Sequence, residues 1–133
     1  MTRILTYMVF LSLIVLNFSC TKESIYEKDH FFIENEGATM PAYVKGNVDS
    51  DVFVVFLHGG PGGNAVQASL LPVFDQLGDD YAMVYWDQRG SGLAQGNPDK
   101  STFTVETFVE DLDLLIDAIN MRYGSPKIFL YGI

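Results

Sequence analysis

Apolar residues along the chain fall into blocks of different period, and each block predicts a different kind of segment. Residues 4–18 follow Arg3 and are almost wholly apolar. A positive start and a short apolar stretch are the marks of an export signal, and the stretch is short for a bilayer span. Residues 26–36 carry Phe31, Phe32 and Ile33, and residues 40–45 carry Tyr43 and Val44. Gly37 separates the two and Gly46-Asn47 closes the second, which predicts a β-hairpin. Val52-Phe53-Val54-Val55-Phe56-Leu57 is an unbroken run of β-branched, aromatic and aliphatic side chains, as expected of a strand buried on both faces.

Helical spacing appears next. Residues 66–77 place Leu70, Leu71, Phe74 and Leu77 on one face, with Pro72 bending or breaking the helix. Residues 81–86 read as a second buried strand and residues 88–99 as a loop with Gly90, Gly92, Gly96 and Pro98. The clearest helix puts Val105, Phe108, Val109, Leu112, Leu115, Ile116 and Ile119 on one face. Thr102 or Thr104 can cap its start with Glu106 favourable to the dipole, and Gly124 and Pro126 end it after Arg122. Ile128-Phe129-Leu130-Tyr131 is a further strand, reaching Gly132-Ile133. Strand, helix, strand, helix, strand predicts an α/β fold with a mostly parallel sheet, right-handed crossovers and flanking helices, preceded by the hairpin.

Composition narrows the function classes. The 133 residues contain 8 Lys+Arg against 17 Asp+Glu, a net charge of −9, so no nucleic-acid partner is expected. With 48% apolar and 19% charged residues the chain is not a disordered acidic tail. Its length suits one small domain and is too short for the large enzyme folds unless it is part of a longer protein. Cys20 is the only cysteine, so no internal disulfide can form. Standing directly after the apolar run and Ser19, it resembles the cysteine of a bacterial lipoprotein signal, with Asn17 departing from the apolar residue usual there. That resemblance implies a signal over residues 1–19, cleavage before Cys20, lipidation of Cys20 and a polar linker over residues 20–24. It also implies a location in the periplasm or cell envelope, with the lipid as the sole membrane contact. An ordinary signal peptide or an uncleaved anchor is the alternative. Cleavage removes Arg3 and no acid, leaving the rest more acidic still.

The chemistry concentrates at strand ends. His58-Gly59-Gly60-Pro61-Gly62-Gly63 leaves a buried strand and enters a helix. Glycines there permit unusual φ/ψ and let another group approach bare backbone N–H donors. A phosphate cradle is one reading, but neither Gly-Lys-Ser/Thr nor G-x-G-x-x-G is present. An oxyanion hole is the other.

The remaining motifs separate the two. Trp86-Asp87-Gln88-Arg89-Gly90-Ser91-Gly92 follows the next strand and Leu130-Tyr131-Gly132-Ile133 ends the one after. That order resembles the α/β-hydrolase fold, and more closely the proline-iminopeptidase family of serine peptidases, over residues 52–133. The resemblance implies that Gly60, with Gly59 beside it, supplies the backbone N–H that binds a tetrahedral oxyanion. Gly132 matches the first glycine of the nucleophile elbow G-x-S-x-G and Ile133 its variable residue, so residues 25–133 are expected to be the N-terminal part of a hydrolase domain. The serine, acid and histidine of the family would lie beyond Ile133, and this stretch alone is expected to be inert.

Blander roles are expected for most other polar residues. His58 and Pro61 are read as structural supports of the loop, since the family's base comes after the serine. Asp87 and Arg89 are read as bracing the oxyanion loop rather than touching substrate, with the arginine needing a carboxylate or carbonyls for company. His30 has no partner motif, and Ser91 is read as a turn residue. Glu110, Asp111, Asp113 and Asp117 are read as the solvated face of the helix rather than a metal cluster. Phe31, Phe32, Phe56, Phe74, Phe108 and Phe129 are read as core.

The expected activity is therefore a serine hydrolase, releasing N-terminal residues from peptides by acyl transfer. Its partner is a peptide or small ester or amide, and no cofactor or metal is implied. Esterase, epoxide hydrolase and dehalogenase chemistry, some of it with an aspartate nucleophile, stays open. So does a different class altogether, a non-catalytic anchored binding domain.

Overall fold

Alternation of side chains in the hairpin sets the first buried face. The computed structural model describes residues 29–60 and 62–133; residues 1–28, with the export segment, Cys20 and the linker, and Pro61 lie outside the described residues. β1 (Asp29–Asn35) and β2 (Ala38–Gly46) pair antiparallel around a turn in which Glu36 and Gly37 have φ of 43° and 82°. Phe31 and Ile33 are buried, while Phe32 between them is exposed, as the period of two demands.

β3 (Val52–Leu57) leads to α1 (Ala65–Ala68) and α2 (Pro72–Asp80), and β4 (Ala82–Trp86) follows. The expected helix over 66–77 is thus two helices. Pro72 opens the second at its first turn, where a missing N–H costs nothing. A two-residue strand, β5 (Gln95–Gly96), and a 3₁₀ turn at Lys100–Thr102 lead to α3 (Val105–Tyr123) and β6 (Lys127–Gly132). Thr104 caps α3, its hydroxyl accepting from Thr107 N–H, and Gly124 ends it in the left-handed region.

The sheet order is β1-β2-β4-β3-β6, with β5 on β2. β4, β3 and β6 are parallel, and β2 joins β4 antiparallel, so the hairpin extends the sheet and makes it mixed. Side chains of β3 and β4 alternate between two cores. Phe53, Val55, Ala82, Val84 and Trp86 pack with the hairpin and with Leu115 and Ile119 of α3. Phe56, Met83 and Tyr85 pack with Ala65, Ala68 and Phe74 on the opposite face. This explains the unbroken apolar runs: a strand covered on both sides has no polar phase. Successive connections leave β3 in opposite directions, towards β4 and from β4 back across to β6, which opens a crevice at the carboxyl ends of these strands.

Two expectations about packing are corrected. The buried line of α3 is Thr107, Asp111, Leu115 and Ile119, whereas Val105 is 75% and Val109 51% exposed. Val105, Phe108 and Val109 border a cleft of about 390 Å³ with Leu57 and Trp86, on a different side of the helix from the buried line, and Leu112 lines that cleft while also packing on the core. Phe32 and Phe129 are exposed, not core: each sits on an outer strand of the sheet among the described residues.

Candidate active site

Parallel pairing brings the three motifs to one end of the sheet. Leu57 is opposite Gly132 in the β3–β6 register, and Ile133 N–H donates to the Leu57 carbonyl at 3.3 Å. A Cβ on Gly59 would stand 2.9 Å from the Ile133 carbonyl oxygen, so the glycine loop passes directly against the end of β6. Asp87, at the end of β4, lies on the other side. Gly59, Gly60, His58, Asp87, Arg89 and Gly132 are therefore gathered by the fold, while Pro61 lies outside the described residues.

Gly60 adopts φ +60° and is exposed, and a Cβ there would meet nothing within 4 Å. The loop's internal bond is a long one, Gly63 N–H to the Gly60 carbonyl at 3.4 Å. Its lateral bonds are shorter. Asp87, fully buried, accepts from Ala65 N–H at 2.7 Å and from Leu93 N–H at 2.8 Å, joining the exit of the glycine loop to its own loop. His58 is buried, and its Nε2 accepts from Gln88 N–H at 3.2 Å, which places the ring's proton on Nδ1. Gln88 Nε2 donates to the His58 carbonyl at 2.9 Å. Ser91 is buried in a turn and its hydroxyl accepts from Gly62 N–H at 2.9 Å.

Arg89 does something else. Its guanidinium is fully buried and faces α3, where Nε and Nη2 donate to Asp111 at 2.6 and 2.7 Å, and Nη1 donates to the Thr102 carbonyl. Hydrogen bonding to Asp111 raises its pKa above the ordinary arginine value against the opposing effect of burial. Asp111 also accepts from Asn35 Nδ2 at 2.9 Å. The expectation that Asp111 belongs to a solvated face is wrong: a buried guanidinium needs a carboxylate opposite it, and the helix supplies one. The signal was available in Arg89 and in the helical period, which sets Asp111, alone of the four acids, on the face of Leu115 and Ile119.

The loop divides two recesses. The cleft beside Gly60 is lined by Leu57, Trp86, Gln88 and the exposed turns of α3. The other, about 620 Å³, is lined by Phe56, His58, Gly59, Phe74, Tyr131 and Ile133 among others. Among the described residues no cluster of His, Cys, Asp and Glu is arranged to hold a metal ion, and no helix is long and apolar enough to cross a membrane.

A strand–glycine loop–helix unit set against the ends of two parallel neighbours is the frame on which many hydrolases build their sites. A profile for the alpha/beta hydrolase fold matches residues 52–132, and the chain belongs to that family. It is 33% identical over 79 residues to the proline iminopeptidase of Saccharolobus solfataricus, covering 59% of this chain and 24% of that protein. The crystal structure of a proline iminopeptidase-related protein from Thermus thermophilus matches 78% of this chain and 35% of its own, with a TM-score of 0.61 and 34% identity. The epoxide hydrolase of Vigna radiata matches over 78% of this chain and 30% of its own, with a TM-score of 0.60 and 27% identity. The chain spans about a quarter of the length of the curated relative.

Proposed function

We propose that the chain carries the oxyanion-binding part of a serine hydrolase that removes N-terminal residues, preferentially proline, from peptides. The observation that supports this most is the exposed, left-handed Gly60, next in the chain to Gly59, which lies against the end of β6 where the family places its nucleophile. In this reading the sequence following Ile133 supplies the serine, its acid and its histidine. The serine hydroxyl attacks the substrate carbonyl while the histidine takes its proton, and the Gly60 N–H donates to the oxygen as it gains charge. Such a donor contributes about 3 kcal/mol to the transition state. Similarity to the archaeal and thermophilic iminopeptidase proteins supports the peptidase assignment.

Likeness to the Vigna radiata enzyme favours a second reading, epoxide opening by an aspartate in place of the serine. The product of the complete reading frame separates them. Release of nitroaniline from proline 4-nitroanilide, with a covalent adduct to a fluorophosphonate probe, is the expected result. Epoxide turnover without either overturns the peptidase reading.

We further propose that the protein is exported and anchored through a lipid on Cys20. Labelling with a palmitate analogue in the bacterial cell should vanish in Cys20→Ala; unchanged labelling overturns the anchor.

A further inference from the structure

We propose that Gln88 and Ser91 are positioning residues for the oxyanion donor, holding the glycine loop on both sides of Gly60, at the His58–Gly59 peptide and at Gly62 N–H; the proposal rests on the acyl-transfer reading above. Gly59, Gly60, Gly62 and Gly63 give the loop more backbone freedom than residues with side chains would, and Gly59, Gly60 and Gly62 are exposed. An oxyanion donor must nevertheless point one way before the reaction begins, because a preorganised dipole needs no reorganisation as charge develops. The loop's own 3.4 Å bond is too long to impose that direction.

The neighbouring loop imposes it. A peptide unit is planar and trans, so fixing a carbonyl also fixes the N–H on the other side of the same plane. Gln88 Nε2 holds the His58 carbonyl at 2.9 Å, which sets the direction of Gly59 N–H. Gln88 N–H, donated to His58 Nε2 at 3.2 Å, holds the same residue from its side chain. Ser91 Oγ holds Gly62 N–H at 2.9 Å on the far side. Gly60 N–H stands in the chain between these two holds. Asp87, at Ala65 N–H, anchors the point where the loop enters α1. Ser91 is buried, which fits an acceptor from the loop and not a nucleophile.

The test uses the product of the complete reading frame with Gln88→Met, which keeps the side chain's length and removes its donor, and Ser91→Ala, which removes the acceptor. Each is expected to lower kcat about tenfold or more while KM changes little, as misaimed catalytic groups do. Hydrogen–deuterium exchange over residues 58–65 should quicken in both variants while α3 and β4 stay protected and the thermal midpoint falls only a few degrees. A raised KM at unchanged kcat, or a loss of activity matched by global unfolding, overturns the proposal. Inactivity of the unmodified protein overturns the acyl-transfer reading instead. Exchange then decides the clamp, and unchanged exchange over 58–65 in both variants overturns it.

Discussion

Arg89 and Asp111 form a fully buried, two-pronged ion pair, Nε to Oδ2 at 2.6 Å and Nη2 to Oδ1 at 2.7 Å, between the loop after β4 and the second turn of α3. Because Asp111 also takes Asn35 and Arg89 also takes the Thr102 carbonyl, the pair ties together the hairpin end, the loop, the 3₁₀ turn and the long helix. Removing one partner leaves a buried charge unanswered. Arg89→Met alone and Asp111→Leu alone should therefore each cost about 3–5 kcal/mol of stability. Replacing both, as Arg89→Met with Asp111→Leu, should cost markedly less than either single change, because no orphan charge remains. Urea unfolding of the four proteins gives the coupling energy directly; additive losses would show that the pair is not the unit that matters.

Asp87 works at closer quarters. Its two oxygens accept from Ala65 and Leu93, and a Cβ on Gly92, at φ +52°, would collide with its carboxylate. Gly92→Ala must displace the carboxylate and break one of these bonds. At Gly124, φ +76° with nothing within 4 Å, alanine meets only the left-handed strain of about 1–2 kcal/mol. Gly92→Ala is expected to lose more stability than Gly124→Ala in thermal unfolding. Asp87→Asn, which turns an N–H₂ towards an N–H, should lose about 1–3 kcal/mol.

These contacts show where the sequence was readable. The hairpin, the parallel strands β3, β4 and β6 and the ends of α3 follow from local period and caps, which neighbouring residues carry between them. Asp111 was legible in the helical period and lost in the acidic composition: it shares a face with Thr107 and Leu115, four residues to either side, and not with its neighbours Glu110 and Asp113. Val105 and Val109 continue the apolar phase of α3, yet they face the cleft beside Leu57 and Trp86 and stay exposed. At the site, glycine spacing and motif order indicated the loop. Gln88 and Ser91 were hidden because their partners, His58 and Gly62, lie 30 and 29 residues away. A hydrogen bond to backbone leaves no complementary residue type to find.

Two tyrosines set the alkaline limit. Burial pushes the Tyr85 hydroxyl from 10.0 up to about 12, with the Asp75 charge adding to it. Tyr123 is raised as well, by burial first and then by its hydrogen bond to Asp29 at 2.9 Å and that group's charge, against Arg122. In the unfolded chain both lose protons near 10.0, while the folded protein keeps them. Above that pH the folded state holds more protons than the unfolded one, so stability falls as pH rises and is unaffected near neutrality. Urea midpoints should hold steady up to about pH 9 and drop steeply beyond it. Tyr85→Phe should flatten the drop, and a curve identical to the parent's would contradict this origin.

Gly59 and Gly60 differ in what they can tolerate, and the difference isolates the donor. Alanine at Gly59 brings a Cβ to 2.9 Å from the Ile133 carbonyl oxygen, so β6 and the loop must part. Stability and turnover should fall together. Alanine at Gly60 touches nothing, but φ +60° disfavours it, and an exposed loop can relieve that strain by turning the peptide. Turning the peptide redirects the N–H. Gly60→Ala should then lower kcat in the full-length protein about a hundredfold, the scale of losing one oxyanion donor, with KM and the thermal midpoint nearly kept. An equal loss of stability in the two variants, or a Gly60→Ala enzyme with unchanged kcat, would place the donor elsewhere in the loop.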